Sequence, residues 1–506
     1  MWCRNILDGH KMTCVRHNFS SSNKGKRKFP LLLLALCLFL TSCRNAGETE
    51  SYQYVEPEEG VLTYAALNPI TNSLRVRVEA FNSSHEDVQI EIRDYSDEGG
   101  IERLRLELMA GRVPDIMELR QLGESGEARI SDGYVPISSN STESEYKYWM
   151  PYRQLVQKGY LEDLWPYIES DPKLGREAVL EAPLKAAEIN GGLYMLFKEF
   201  RITTLMGSAE LVGDRYGWTF EELMETFSTM PDDSTILRYD ATRWDVFSKL
   251  ISFTLNQYVD WDNGQCFFDS EEFRNVIAFL NSFPAEFDAV RSPEEIEEEI
   301  LWRITHGRQM LESTTILSMR DIVYRDAFWG GRASFVGYPT AEGGSGSLFT
   351  IRGDILAMSS VCQNKEAAWD FIRQLIVKRY NRSTMESLRK RIFFNTFVNR
   401  SDYETENQCL MEYGKKIDLS KEPTALAPWE PFSARILIFP LDVYSEEDIQ
   451  RYETLINNTT QIYWPDDALS DIVWEALGPY FAGDKTMDET IALLQDRVRL
   501  YVNEQK

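Results

Sequence analysis

The chain has 506 residues, long enough for two or more domains, and 43% of them are hydrophobic, enough for a sizeable core. Eighty acidic side chains against fifty-four basic ones give a formal net charge of −26. Such a surface repels nucleic acid and anionic lipid headgroups, so neither is an expected partner, and it suits a self-repelling soluble body.

The first 42 residues differ from the rest. Lys24, Lys26, Arg27 and Lys28 form a basic cluster, followed by Phe29 and the apolar run from Leu31 to Leu40. Small residues, Thr41 and Ser42, then lead to Cys43. Basic, apolar, small is the order of an export signal, and the run falls short of the roughly 20 residues of a membrane-spanning helix. Leu40-Thr41-Ser42-Cys43 resembles the lipobox of bacterial lipoproteins. That resemblance implies cleavage before Cys43 and lipid on its thiol. The stretch before the basic cluster is long for a leader, which makes Met12 a second candidate start. Residues 44–59 are polar and Glu-rich and read as a tether.

The body opens with a strand at Gly60 to Ala66. Leu74, Val78 and Phe81 then mark one face of a helix. Val88, Ile90 and Ile92 alternate with polar residues as a half-buried strand does. Ile101, Leu104 and Leu108 return to helical spacing, with Gly111 placed to cap the helix and Pro114 to stop it. Asp115 to Glu118 leads into the next strand. Strands alternating with helices predict an α/β domain with a largely parallel sheet. Asn190-Gly191-Gly192 is a turn, followed by an extended aromatic stretch from Leu193 to Phe200. Trp218-Thr219 with Glu221 and Glu222 opens a helical region. Gly330 to Leu348 reads as loop, Ile351 to Met358 as strand, and Lys365 to Ile376 as helix. Thr486 and Glu489 form a capping pair ahead of Ile491, Leu494, Val498 and Tyr501.

Catalytic signatures are sparse. Beyond the leader only His85 and His306 occur, the first in a polar stretch expected at the solvated surface, the second before Gly307 at an expected helix end. No Gly-x-Ser-x-Gly elbow, phosphate-binding Gly-Lys-Ser/Thr loop or His-Glu-x-x-His is present. Paired carboxylates for glycoside cleavage cannot be singled out among so many acids. Asp260-Trp261-Asp262-Asn263-Gly264 has calcium-loop character, but Gln265 stands where such a loop needs Gly, and a tight turn explains the run equally well. Neither a metal nor a cofactor is expected. Cys266, Cys362 and Cys409 lack metal-ligand spacing and read as small buried residues, one disulfide among them staying open.

Several segments in order resemble the extracellular solute-binding proteins of ABC importers, of the family-one, sugar-binder type. They are Leu108-Met109-Ala110-Gly111 with Pro114-Asp115-Ile116, Lys158 to Leu164, Asn190-Gly191-Gly192-Leu193-Tyr194, Gly217-Trp218-Thr219 with Glu221-Glu222-Leu223, and Asn364 to Phe371. Two stretches, Leu205-Met206-Gly207-Ser208 and Leu311-Glu312-Ser313-Thr314-Thr315, depart from the family's usual wording. The resemblance implies a two-lobed α/β fold of the periplasmic-binding type, with an interlobe cleft and crossing hinge strands near Phe197 to Arg201 and near Arg352. The expected division is 1–42 signal, 43–59 lipidated Cys43 and tether, 60–198 with about 352–385 as one lobe, and 199–351 with about 386–506 as the other. Segment matching places Asn68, Glu118, Arg120, Glu199, Arg201 and Thr315 at the cleft, with Trp261 and Trp329 to stack on a sugar ring. The implied role is a monomer, lipid-anchored on the outer face of the cell membrane, that captures a small solute, a carbohydrate first, for an ABC permease, and catalyses nothing. A non-sugar solute or a sensing role on the same scaffold stays open, as does a surface carbohydrase.

Overall fold

The computed structural model describes residues 54–97, 99–119, 152–287, 292–388, 395–414, 444–463 and 467–504. The leader, Cys43, most of the tether and Arg120 lie outside them. The described residues from Pro57 onward belong to one compact unit.

Strand β1 (Val61–Ala66), helix α1 (Asn72–Ser84), β2 (Gln89–Asp94), α2 (Gly100–Met109) and β3 (Ile116–Glu118) follow the predicted order. Leu74, Val78 and Phe81 are the buried residues of α1, as their spacing requires. The end of α2 is a Schellman closure. Arg112 N–H donates to the Glu107 carbonyl (2.9 Å) and Gly111 N–H to that of Leu108 (3.0 Å), with Gly111 at φ +77°. β2, β1 and β3 are parallel, as expected of this stretch.

Then come β4 (Leu196–Ser208), α3 (Phe220–Ser228), the hairpin β5–β6 (Val259–Asp260, Gln265–Cys266), β7 (Glu312–Ile316), α4 (Met319–Trp329), β8 (Ala333–Ser334) and β9 (Leu348–Met358), of which β4 and β9 are the long strands. Helix α5 (Lys365–Ile372) and β10 (Thr396–Phe397) come next, then α6 (Glu446–Asn458), β11 (Gln461–Ile462), α7 (Asp467–Phe481) and α8 (Met487–Glu504). The main sheet runs β10-β4-β9-β3-β1-β2, with β7 and β8 also on β4 and β11 on β9. β9 enters antiparallel between β3 and β4, so the whole sheet is mixed: its β2-β1-β3 end and the β11–β9 pair are parallel, and the other pairs are antiparallel. The return strand is responsible: it comes back from the far half of the chain against the direction of both neighbours.

Two hydrophobic cores flank this sheet. The larger holds Tyr64, Phe81, Leu104, Phe200, Phe349 and Phe371, and the second holds Trp218, Phe247, Phe273, Leu280, Leu494 and Val498. Met206 and Phe349 pack on the first core, while their chain neighbours Leu205 and Leu348 pack on the second. Successive strand residues face opposite ways, so β4 and β9 each send side chains into both cores. The fold is therefore the expected α/β one, with two cores joined through two crossing strands. Among the described residues, no helix is long and apolar enough to cross a membrane.

Some expectations change. His85 is not simply solvated: it caps α1, stacks on Phe81 at 3.9 Å, and sets Nε2 3.3 Å from Asp370. Its place one helical turn after Phe81 brings the rings together. The loop expected from Gly330 begins as a helix cap and contains β8. Cys266 and Cys362 are free thiols.

Candidate functional site

β1 and β3 end side by side, and their carboxyl ends are where an open α/β sheet offers a crevice. The chain leaves β1 through Leu67 and Asn68, and Glu118 closes β3 beneath them. Glu118 is buried. Its Oε1 accepts from Tyr64 Oη (2.7 Å). Its Oε2 accepts from Leu67 N (2.8 Å), Asn68 N (3.0 Å) and Asn68 Nδ2 (3.3 Å). The structure thus brings Asn68 and Glu118 together, but in unequal roles: Glu118 pins the turn, and Asn68 is the exposed member. Burial pushes the Glu118 carboxyl above its usual range, against the pull of its hydrogen bonds. Burial, and then the neighbouring Glu118, push the Tyr64 hydroxyl well above its own.

Beside this turn lies a cavity of about 570 Å³, walled by α1, by both crossing strands and by the chain after α5. A bulge shapes its floor. Glu199 faces Arg352 and Phe197 faces Ile355, so Gly353 and Asp354 of β9 stand opposite Lys198 alone. Gly353 takes φ +78°, the left-handed conformation such bulges use. Lys198, Glu199, Arg352 and Asp354 all line the cavity, together with Arg77 of α1 and Arg379.

The charges are interlocked. Lys198 Nζ lies 2.7 Å from Glu199 and donates to Tyr380 Oη at 3.0 Å. Burial disfavours its charge, yet Glu199 and Tyr380 outweigh burial and raise its affinity for the proton. Asn395 bridges the two β4 candidates, donating through Nδ2 to Glu199 (2.9 Å) and accepting from Arg201 Nε. Arg77 Nη1 pairs with Asp354 at 3.0 Å.

The other candidates lie elsewhere. Thr315 sits in the β7 ladder opposite Thr203, half-buried. Trp261 rides on the β5–β6 turn, packs on the second core edge-on to Tyr501, and donates to Asn256 (3.3 Å). Trp329 ends α4 inside the first core against Phe328. Both tryptophans thus serve packing. In the same hairpin, Asp260 accepts from Asn263 N (3.0 Å) and Nδ2 (2.7 Å), so its carboxylate is occupied by the turn. Among the described residues no three His, Cys, Asp or Glu gather as a metal site.

Arg77, Lys198, Asp354 and Arg379 were not legible as site residues. One signal existed: a glycine between opposite charges, Arg352-Gly353-Asp354, inside an apolar strand marks a bulge. Arg77 sits beside the apolar stripe of α1 and reads there as an ordinary solvated charge.

No family model and no curated protein matches the chain. The solved structures similar to it include many sugar-binding proteins of ABC importers. One is an ABC substrate-binding protein of Listeria monocytogenes in complex with cycloalternan, 13% identical, covering 88% of this chain and 100% of that one, TM-score 0.41. Another is a family-one extracellular solute-binding protein of Alicyclobacillus acidocaldarius, 11% identical over 88% and 100%, TM-score 0.44. A third is a periplasmic oligogalacturonide-binding protein of Yersinia enterocolitica, 13% identical over 88% and 99%, TM-score 0.48. Similarity of this degree leaves the site to be read from this chain's own residues.

Proposed function

We propose that this chain is a lipid-anchored extracellular binding protein that captures a small solute, a saccharide, for an ABC importer. The polar cavity of about 570 Å³ at the crossing strands carries this reading. Its size falls in the usual range for small-molecule sites. It offers donors from Arg and Lys and acceptors from Glu199 and Asp354, the mixed polarity that sugar hydroxyls need. It adjoins both strands that join the two cores. The carboxylates favour binding over chemistry: Glu199 is held by Lys198 and Asn395, and Asp354 by Arg77.

Thermal unfolding of the purified chain against a panel of saccharides tests this. A binder present at about 100 times its Kd adds about 2.7 kcal/mol of stability, a clear rise in Tm. Turnover of an oligosaccharide by the pure protein, lost on changing one carboxylate, would point to a carbohydrase and overturn the reading.

A further inference from the structure

Resting on that solute-binding reading, we propose that the cavity takes a saccharide carrying a carboxylate, with Arg77 and Arg379 as the pair that receives it. The charge of the cavity runs against that of the molecule. The chain as a whole carries 80 acidic and 54 basic residues. The described lining of this cavity carries the reverse, Arg77, Lys198, Arg352 and Arg379 against Glu199 and Asp354.

The surplus is local. Glu199 is matched by Lys198 at 2.7 Å. Asp354 pairs with Arg77 at 3.0 Å, and its charge also acts on Arg379, as does that of Asp402, while Arg379 Nε donates to the Gln374 carbonyl (3.0 Å). The cations of the lining outnumber its carboxylates, which favours an anionic ligand. The closeness of Arg77 and Arg379 has a cost: partial desolvation, and then the like charge of Arg77, lower the proton affinity of Arg379.

Arg77 also has unused donors. Its side chain is only 14% exposed, Nη1 is engaged by Asp354, and Nε and Nη2 are buried without a hydrogen-bond partner. Buried donors without acceptors are unfavourable, and an entering acceptor removes that penalty. A guanidinium presents paired N–H groups in a plane, the geometry that a carboxylate fills with two parallel bonds. A uronic acid brings such a carboxylate on a sugar ring. The remaining polar lining is left to bind hydroxyls.

Isothermal titration of the full chain with D-galacturonate, D-glucuronate and their short oligomers, against the neutral parent sugars and glucose 6-phosphate, tests the proposal. Uronates should bind about tenfold or more tightly than the neutral parents, and the margin should shrink at high salt. Arg379→Gln should weaken uronate binding about tenfold, and neutral-sugar binding by clearly less. Asp354→Asn, which releases Arg77, should tighten uronate binding, a gain that a merely structural role does not produce. Neutral sugars that bind as well as uronates, with both variants inert, would overturn the carboxylate assignment and leave the solute-binding reading standing. Preference for the sugar phosphate would overturn the carboxylate assignment too. Binding of no sugar in the panel would defeat both.

Discussion

Replacing Glu118 by Gln probes whether the turn after β1 is held as described. Glu118 accepts four donors: Tyr64 Oη, the Leu67 and Asn68 amides, and Asn68 Nδ2. Glutamine has one acceptor where the carboxylate has two. With its oxygen toward the loop, the backbone amides keep a partner, but Tyr64 Oη, which is fully buried, donates to nothing. With the oxygen toward Tyr64, the NH₂ group opposes three N–H donors. The first arrangement is the cheaper and orphans one buried hydroxyl proton, costing about 1–3 kcal/mol. The cost depends on pH. The folded carboxyl lies above its ordinary 4.5, so the fold holds that proton more tightly than the unfolded chain does. Its contribution is fully present below the ordinary value and is lost as pH rises through the folded one. Urea unfolding of both proteins from acid to neutral pH should therefore show the largest deficit for Glu118→Gln at the acid end. Equal stability within about 0.5 kcal/mol across that range would refute the pinned turn.

Gly353→Ala should destabilise by about 1–2 kcal/mol, read from urea midpoints, because φ is +78° there while an added Cβ meets nothing within 4 Å. No loss would mean that the bulge does not need the left-handed conformation. Arg451 is buried in α6, donates to both oxygens of Asp326 (2.6 and 2.9 Å), and reaches the Ala333 carbonyl (3.0 Å). Arg451→Met should cost about 3 kcal/mol, and adding Asp326→Asn should restore part of it, as a double-mutant cycle will show. Additive losses would mean the two residues act independently. Cys43→Ala should move the protein from the membrane fraction to the soluble one, and unchanged partitioning would sink the lipid anchor.

Local features were legible because they are written within a few residues. Thr219 accepts from Glu222 N, and Glu222 returns a bond to Thr219 N, all inside one helical turn. Asn190 adopts φ +52° in a tight turn whose Ile189 and Gly192 exchange both backbone hydrogen bonds. The apolar stripe of α1 and the cap at Gly111 follow from spacing in the same way. These signals determined the element types and the parallel run from β1 to β3; the regions of the crossing strands were only what the family resemblance implied. Distant meetings were left to the tertiary structure. β9 inserted antiparallel between β3 and β4 decided the sheet order, since no residue in β9 records which edge it will find. Burial turned Glu118 from a solute-facing candidate into the anchor of Asn68, and it set Trp261 and Trp329 to packing. Arg77 and Asp354 stand 277 residues apart in sequence, and only the return strand brings their charges to 3.0 Å. A charged side chain carries the same pattern in solvent as in a cavity. What distinguishes the two is the wall around it, and that wall comes from other parts of the chain.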